Sequence, residues 1–190
     1  MSGRLPTEPP DDASAPVRHP DAPAPGELIA SHYALCFACG ADHPAGLHMR
    51  LYADEGVSVR AELDVGEHHQ GAPGLAHGGL LAAAFDEVLG ALNWLVRHPA
   101  VTVRLETDFR RPVPVGTQLH LLARIRAVSG RKVYTHGEGR LGSPGGELAV
   151  TAAAVFVQVP LEHFTTHGRA ADVRAAAVAS GGVRRWEVNP

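Results

Sequence analysis

The chain has 190 residues, 45% of them hydrophobic, which is enough for one domain with a core of its own. A formal net charge of −3 argues against a protein that binds nucleic acid or membrane surfaces through general electrostatics. Two cysteines are too few for a disulfide framework, and we find neither a signal segment nor an uncharged stretch long enough to span a bilayer, so we expect a cytoplasmic protein.

The N-terminal segment differs in composition from the rest of the chain. Residues 1–26 contain seven of the fifteen prolines, among Asp, Ala and Glu, and such a composition favours a disordered or extended segment. We place this segment at residues 1–30, a single domain at residues 31–165 and a C-terminal tail at residues 166–190. Residues 27–35 are predicted to form a short helix that lies over the domain.

The two cysteines stand at a spacing that metal sites also use. Cys36 and Cys39 could bind a metal with His43 or His48 as a further ligand. A structural zinc site normally has four protein ligands, however, and the chain has no second Cys-x-x-Cys pair. We therefore expect a turn with two packed thiols, and neither a metal nor another cofactor.

A β-hairpin and a long helix follow. Residues 48–52 and 57–65 are predicted to pair, because apolar and polar side chains alternate along the second of them. A loop rich in Gly and Pro comes next. Residues 80–96 are then too many for a strand and too apolar for a surface helix, which predicts a helix buried nearly all round.

Four alternating segments complete the domain, at residues 101–110, 118–128, 133–141 and 148–159. Short turns between them indicate an antiparallel sheet. In the first segment the alternation places Thr102 on the polar face, opposite the apolar side chains. Since a single helix this apolar needs a sheet around it, we predict an α+β fold in which an antiparallel sheet of five to six strands wraps around one long central helix. Residues 170–179 indicate a further short helix in the tail.

The central helix combines two features that indicate chemistry. Asp86 is a carboxylate in a buried helix, where an unpaired charge is costly. Gly78 and Gly79 leave the first backbone N–H groups of the helix uncovered, and such a terminus attracts anions or a polarised carbonyl oxygen. Because Gly78 and Asp86 are about 12 Å apart along the helix, one copy cannot use both in the same reaction. We therefore expect a two-fold homodimer, or a dimer of such dimers, with the site at the interface.

Four short motifs follow one another along the chain. They are Cys-Phe-Ala-Cys-Gly at 36–40 with Gly-Leu at 46–47, Gly-Ala-Pro-Gly at 71–74, His-Gly-Gly at 77–79 with Asp86 nine residues after His77, and Phe-Arg-Arg-Pro-Val-Pro-Val-Gly at 109–116. Over roughly residues 31–160 the chain thereby resembles the PaaI-like and THEM-like acyl-CoA thioesterases of the hotdog fold. The resemblance implies hydrolysis of an acyl-CoA thioester to a free acid and coenzyme A. It also implies that the cysteine motif lies at the entrance to the acyl pocket.

The resemblance further implies roles for single residues. Asp86 matches the catalytic carboxylate, which acts as nucleophile or general base, and the Gly78 amide matches the group that polarises the thioester carbonyl. Thr102 matches a Ser or Thr that helps to hold the attacking water. His77 is expected mainly to orient the loop, and less as a catalytic base.

Other candidates concern the substrate. Relatives of the PaaI type often carry Asn where this chain has Gly71, so the adjacent Gln70 is a candidate for that role and His69 is a second one. Gly79 is expected to help bind the substrate. A basic rim for the coenzyme A phosphates is expected from Arg110, Arg111, Arg131 and Lys132.

Two expectations remain. Glu87 is adjacent to Asp86 and therefore on another helix face, where we expect it to be solvated or salt-bridged. The alternative function is a non-catalytic acyl-CoA-binding or interaction module on the same fold, although residues 1–26 supply no DNA-binding helix pair of the kind that such regulators carry. A hydratase of this fold would need an Asp/His pair at another spacing, which we do not find.

Overall fold

The computed structural model describes the backbone of residues 5–179 and the side chains of residues 5–174. The strands in this range are β1 (Leu28–Ile29), β2 (Arg50–Asp54), β3 (Ser58–Asp64), β4 (Gln70–Ala72), β5 (Leu75–Ala76), β6 (Ala100–Phe109), β7 (Gln118–Ser129), β8 (Lys132–Leu141) and β9 (Leu148–Gln158). The helices are α1 (Gly78–Gly90), α2 (Asn93–Val96), α3 (Glu162–His167) and α4 (Ala170–Ala179). One antiparallel sheet has the order β1-β2-β3-β7-β8-β9-β6, and β4 pairs with β5 in a separate ribbon.

The predicted α+β arrangement is confirmed, since the sheet wraps around α1, which contacts β3 and all of β6 to β9. The sheet has seven strands where five to six were expected, because Leu28 and Ile29 pair with β2 at its edge. The helix predicted for residues 27–35 is therefore wrong. Extended backbone buries Ile29 to 6% exposure and leaves Leu28 exposed, the alternation of a strand.

The apolar side chains of α1 are packed under the sheet. Phe85 is fully buried, and a Cβ added at Gly137 or Gly139 of β8 would lie 3.1 Å from its ring. These two glycines therefore let the sheet approach the helix. The single helix predicted for residues 80–96 is interrupted after Gly90, because bonds between residues three apart tighten the turn before α2.

The segment Gly78–Val96 is the one helical stretch among the described residues that is long and apolar enough to cross a membrane by length and composition. In this protein 56% of it is buried inside the fold. Burial of this kind is typical of the central helix of a folded domain.

A β-bulge in β6 changes the face on which Thr102 lies. Thr102 pairs with Phe156 and Arg104 pairs with Val155, so Val103 is an extra residue on this strand. The Phe156 ring packs toward α1, and directly opposite residues of a sheet share a face. Thr102 therefore faces the helix. Its predicted place on the polar face is wrong, because the bulge reverses the alternation before Arg104.

The N-terminal segment is extended where the structure describes it. Between residues 5 and 26 the backbone of Ser14 pairs with that of Val128, and the Arg18 guanidinium donates to carbonyl oxygens of the β2–β3 turn. These contacts hold the segment along the domain. In the tail, the predicted short helix is present as α4, and residues 180–190 lie outside the described range.

Candidate functional site

A cavity of about 260 Å³ lies beside α1, where β6 begins. Asp86 reaches it from α1 and Thr102 from β6, and the Thr102 hydroxyl donates to Asp86 Oδ1 over 2.8 Å. Burial raises the pKa of Asp86, the hydrogen bond from Thr102 opposes this shift, and charge on the nearby Cys36 adds to it. A carboxylate held in this way can take a proton from water or attack a carbonyl carbon.

Asn93 is a cavity residue that sequence reasoning missed. It follows Asp86 by seven residues, or two helical turns, and is only 5% exposed. Its Nδ2 donates to the Gly90 carbonyl over 3.0 Å, while its Oδ1 has no hydrogen-bond partner among the described residues. A buried acceptor left open in this cavity is suited to hold a water or a substrate N–H. The two-turn spacing from Asp86 was the one signal that the sequence offered.

The start of α1 presents one open backbone N–H. His77 is the N-cap, and its Nδ1 accepts a hydrogen bond from the Gly79 N–H over 2.9 Å. The Gly79 amide is therefore occupied, contrary to its expected part in substrate binding. The Gly78 N–H has no acceptor within residues 5–179, and the Phe109 ring lies beside it, 3.3 Å from where a Cβ would be. His77 thus caps the helix through the Gly79 N–H, and the Gly78 N–H is the amide at this terminus that is left open.

Gln70 and His69 make their hydrogen bonds within the loop before α1. The Gln70 amide donates to the Glu67 carbonyl and carboxylate over 2.9 and 2.7 Å, and it accepts from the Gly74 N–H over 2.6 Å. His69 Nδ1 accepts from the Gly66 N–H over 3.1 Å, and burial lowers the pKa of His69. Neither side chain lines the Asp86 cavity of its own chain.

Only glycine fits at position 71, where the resemblance leads us to look for an asparagine. A Cβ at Gly71 would be 2.7 Å from His77 Cα and 2.8 Å from its Cδ2. Real Cβ atoms do not approach backbone this closely. A polar side chain is therefore excluded at this position, because the backbone of the loop lies in close contact with the N-cap residue His77.

The four basic residues expected to form one rim lie at opposite ends of the sheet. Arg110 and Arg111 follow β6, where they pair with neighbouring carboxylates over 3.9 and 3.6 Å. Arg131 and Lys132 lie at the turn between β7 and β8. In the pairing with β9, the two ends are seven residues apart, or about 23 Å. Within one chain these side chains do not form a single rim.

Glu87 lies in a different environment from Asp86. Its carboxylate accepts a hydrogen bond from the Cys36 thiol over 3.6 Å, and His32 and Cys39 complete a cluster whose ligand atoms all lie within 4.8 Å of one another. Burial raises the pKa of Glu87 to about 7, and hydrogen bonds from Cys39 and His32 lower the pKa of Cys36. The expectation that Glu87 is solvated or salt-bridged is therefore wrong, because the loop before β2 covers this helix face.

The two histidines considered as metal ligands lie outside this cluster. His43 packs edge-on against Phe37 with ring centroids 5.4 Å apart, and its Nδ1 accepts from the Ala45 N–H over 3.2 Å. His48 Nδ1 donates to the Gly40 carbonyl over 3.0 Å. The sequence analysis considered the histidines that follow Cys39, whereas the fold places His32, four residues before Cys36, and the distant Glu87 beside the thiols.

The family model of the thioesterase superfamily matches residues 73–147 of this chain. Acyl-coenzyme A thioesterase THEM4 of Xenopus laevis is 29% identical over 94 residues, which are 50% of this chain and 42% of the relative. Acyl-coenzyme A thioesterase THEM5 of Mus musculus is 35% identical over 69 residues, which are 36% of this chain and 28% of the relative. The chain spans less than half the length of these curated relatives.

Solved structures share the same fold. Protein RHA08564, a thioesterase superfamily protein, has a TM-score of 0.62 at 28% identity, and the match covers 73% of this chain and 70% of the RHA08564 chain. The E. coli PaaI protein from the phenylacetic acid degradation operon has a TM-score of 0.55 at 17% identity, over 60% and 80%. The protein smu.793 from Streptococcus mutans, solved with acetyl CoA bound, has a TM-score of 0.53 at 16% identity, over 57% and 86%. At these identities the last two show the fold alone.

Proposed function

We propose that the chain belongs to the thioesterase superfamily, whose family model matches residues 73–147, and that the protein is an acyl-CoA thioesterase on the hotdog fold. It hydrolyses the thioester to a free acid and coenzyme A at the interface of a homodimer. The observation that carries the proposal is the Asp86–Thr102 hydrogen bond in a cavity beside the central helix. Two relatives bear the name acyl-coenzyme A thioesterase and one neighbour holds acetyl CoA, which supports a coenzyme A thioester as substrate.

The strand β6 supports the homodimer. It is the terminal strand of the sheet, ten residues long, and its outer edge pairs with no strand among the described residues. Its side chains Val103 and Phe109 are 48% and 53% exposed. A long edge strand with exposed apolar side chains is suited to pair with an identical strand.

The direction of α1 relative to β6 explains how such a pair completes the site. Gly78 lies beside Phe109, and Asp86 lies beside Thr102, so helix and strand run antiparallel. If two copies of β6 pair about a two-fold axis, the Phe109 end of one chain meets the Thr102 end of the other. Each site then takes Asp86 from one chain and the Gly78 N–H from its partner. This removes the separation of about 12 Å along one helix.

The reaction follows from these groups. The Gly78 N–H donates to the thioester oxygen and stabilises the negative charge that develops there. Asp86, oriented by Thr102, takes a proton from water while the water oxygen attacks the carbonyl carbon. The C–S bond then breaks, and the coenzyme A thiolate takes up the proton. In the nucleophilic route Asp86 itself attacks and forms an anhydride, and oxygen-18 from labelled water recovered in the Asp86 carboxylate after one turnover would identify that route.

Asp86→Asn tests the assignment of the carboxylate. The amide keeps the shape of the side chain but is neither a base nor an effective nucleophile, so we expect a loss of about 100-fold or more in kcat with the fold unchanged. Thiol release should be measured over short, long and aromatic acyl-CoAs. Wild-type turnover in this variant contradicts the proposal. Binding of acyl-CoA in calorimetry without thiol release by the wild type would identify a binding module instead.

Gly78→Pro is a precise probe of the amide donor. Residue 78 is the first position of α1, where proline is well tolerated, and the preceding His77 has the extended backbone that proline requires, with φ −70° and ψ 130°. The change removes the N–H and keeps the helix start. Gly78→Ala is the control, since it adds a methyl group near Phe109 and retains the N–H.

We expect Gly78→Pro, like Asp86→Asn, to lose activity, and a shared site then predicts complementation between the two variants. Chains with Asp86→Asn and Gly78→Pro are co-expressed at equal levels with different tags. Half of the dimers are then mixed, and one of the two sites in each mixed dimer has both native groups. About one quarter of the wild-type activity should return. A site contained within one chain gives no recovery, and that result would exclude the interface.

A further inference from the structure

Four side chains with metal-binding atoms meet where the loop before β2 packs on α1. His32, Cys36 and Cys39 come from the loop and Glu87 from the helix, and one ligand atom of each lies within 4.8 Å of all the others. We propose that these four residues form a zinc site that fastens the loop to the central helix. The inference does not depend on the proposed hydrolysis, and it reverses the sequence-based expectation that the cysteine motif binds no metal.

The donor set is one that zinc prefers. Two thiolates, an imidazole and a carboxylate are all zinc ligands, and four such ligands give the tetrahedral geometry of a structural site. With Zn–S near 2.3 Å and Zn–O near 2.0 Å, that geometry places a sulfur and an oxygen ligand about 3.5 Å apart. Cys36 Sγ lies 3.6 Å from Glu87 Oε2. One edge of the tetrahedron is therefore already at its expected length.

The backbone of the loop holds the two sulfurs in position. The Gly40 N–H donates to the Cys36 carbonyl over 2.9 Å and closes a turn around the pair. A Cβ at Gly40 would be 2.4 Å from the Ala34 carbonyl oxygen, so this turn requires glycine. Backbone hydrogen bonds accepted by the Phe37 and Ala38 carbonyls, over 2.8 and 2.9 Å, anchor the turn to the chain that leads into β2. The backbone of the loop therefore fixes the positions of the two cysteines relative to each other.

The charges at this place favour a cation. Cys39, Asp86 and Glu87 line the same cavity, and neither lysine nor arginine is among the residues that line it. His32 is the one basic side chain in that lining. Two carboxyl groups and a thiol in a partly buried space with a single imidazole beside them are costly to ionise. A divalent cation removes this cost and binds the thiols as thiolates.

Four protein ligands leave no open position on a tetrahedral ion, so the proposed zinc is structural and takes no direct part in a reaction. Its position nevertheless matters for the site, because His32, Cys39 and Glu87 form part of the wall of the cavity that holds Asp86 and Thr102. Without the metal, the loop is held on α1 only by its packing and by contacts such as the Cys36–Glu87 hydrogen bond, so that wall of the cavity would be less stable. Thermal stability should therefore fall when the metal is removed, and activity should fall with it.

Metal analysis of the full-length wild-type chain tests the proposal without any variant. Protein purified under reducing conditions should contain about one zinc ion per chain, as measured by inductively coupled plasma mass spectrometry. After removal of zinc with a chelator, titration with Co²⁺ should give thiolate-to-metal charge-transfer absorption and the visible bands of a tetrahedral site, saturating near one ion per chain. Zn²⁺ should displace these bands, and it should raise the melting temperature of the metal-free protein.

Single substitutions then identify the ligands. Losing an outer-shell partner alone costs 10–100-fold in metal affinity, so Cys39→Ser and His32→Ala, which remove direct ligands, should cost more than about 100-fold. Glu87→Gln should weaken metal binding but retain the charge-transfer absorption between the two thiolates and Co²⁺. His43→Ala is the matched control, because this histidine belongs to the same loop and lies outside the cluster. Its affinity should stay within about twofold of the wild type.

Several results would overturn the proposal. One is reduced wild-type protein without stoichiometric zinc and without charge-transfer absorption on addition of Co²⁺. Another is a His43→Ala variant that loses as much affinity as His32→Ala, since binding would then not depend on the cluster. A Cys36–Cys39 disulfide in the isolated protein, with no metal binding after reduction, would identify a redox pair instead. None of these measurements uses a thioester, so failure of the zinc site is distinguishable from failure of the proposed hydrolysis.

Discussion

Thr102→Val removes the hydroxyl that donates to Asp86 and keeps the branched shape and strand preference of the side chain. A hydrogen bond to a charged group contributes about 1.5–3 kcal/mol. Because Thr102 is exposed at the mouth of the cavity, water can replace part of this interaction, and we take the lower end of the range. Since 1.36 kcal/mol corresponds to a factor of ten in rate, kcat should fall about tenfold.

Steady-state thiol release separates the possible causes of that loss. The hydroxyl orients the carboxylate and is not proposed to contact the acyl group, so the loss should appear in kcat while KM stays within about twofold. Thr102→Ser retains the hydroxyl and should recover most of kcat. Thr107→Val makes the same change elsewhere on β6 and controls for altered behaviour of the edge strand. A Thr102→Val enzyme with wild-type kcat, or a Thr102→Ser enzyme as impaired as the valine variant, would refute the reasoning.

Three further outcomes follow from packing, titration and the sheet edge. Gly137→Ala places a methyl group 3.1 Å from the buried Phe85 ring and should lower stability by about 1–3 kcal/mol in urea unfolding, whereas Gly145→Ala, where a Cβ meets nothing, should not. Burial and the charge of Arg124 lower the pKa of His136 in the folded protein, so the stability linked to this group is present above about pH 6.5 and is lost as the pH falls through that lowered pKa. His136→Gln should therefore flatten the decline of the unfolding free energy with falling pH. An unchanged dependence on pH contradicts the assignment. Val103→Lys should shift dimers toward monomers in light scattering, while Leu122→Lys, which changes a residue of similar exposure on the inner strand β7, should not.

The sequence predicts those parts of the fold that depend on local periodicity. The alternation of apolar and polar residues located β3 and β6 to β9, and the apolar run located the central helix, because each pattern is complete within its own segment. The bulge at Val103 could not be predicted, since it depends on which residues of β9 lie opposite. The strand β1 was missed for the same reason. Two residues become a strand only because β2 lies beside them.

The candidate site divides in the same way. The sequence identified Gly78 at the start of the helix and Asp86 about two turns later as chemically distinct positions, and that is local information. The partners of each group are not local. Thr102 faces Asp86 because a bulge in β6 changes the side of the strand on which it lies, and Glu87 contacts two cysteines that lie some fifty residues earlier in the chain. Contacts between distant segments are fixed by the tertiary fold, so sequence spacing alone assigned Thr102 to the wrong face and Glu87 to solvent or a salt bridge.

Asp86 and Glu87 are adjacent carboxylates on one helix for which we propose separate roles. Successive residues of a helix differ in direction by about 100°, so the two carboxylates line the same cavity but have different hydrogen-bond partners. Asp86 is directed to β6 and hydrogen-bonds with Thr102, whereas Glu87 is directed to the loop that carries Cys36. If these environments are independent, Asp86→Asn should abolish hydrolysis and leave Co²⁺ affinity unchanged. Glu87→Gln should weaken metal binding, and saturating Zn²⁺ should restore its activity. A loss of activity in Glu87→Gln that zinc cannot restore would show that both carboxylates belong to one site.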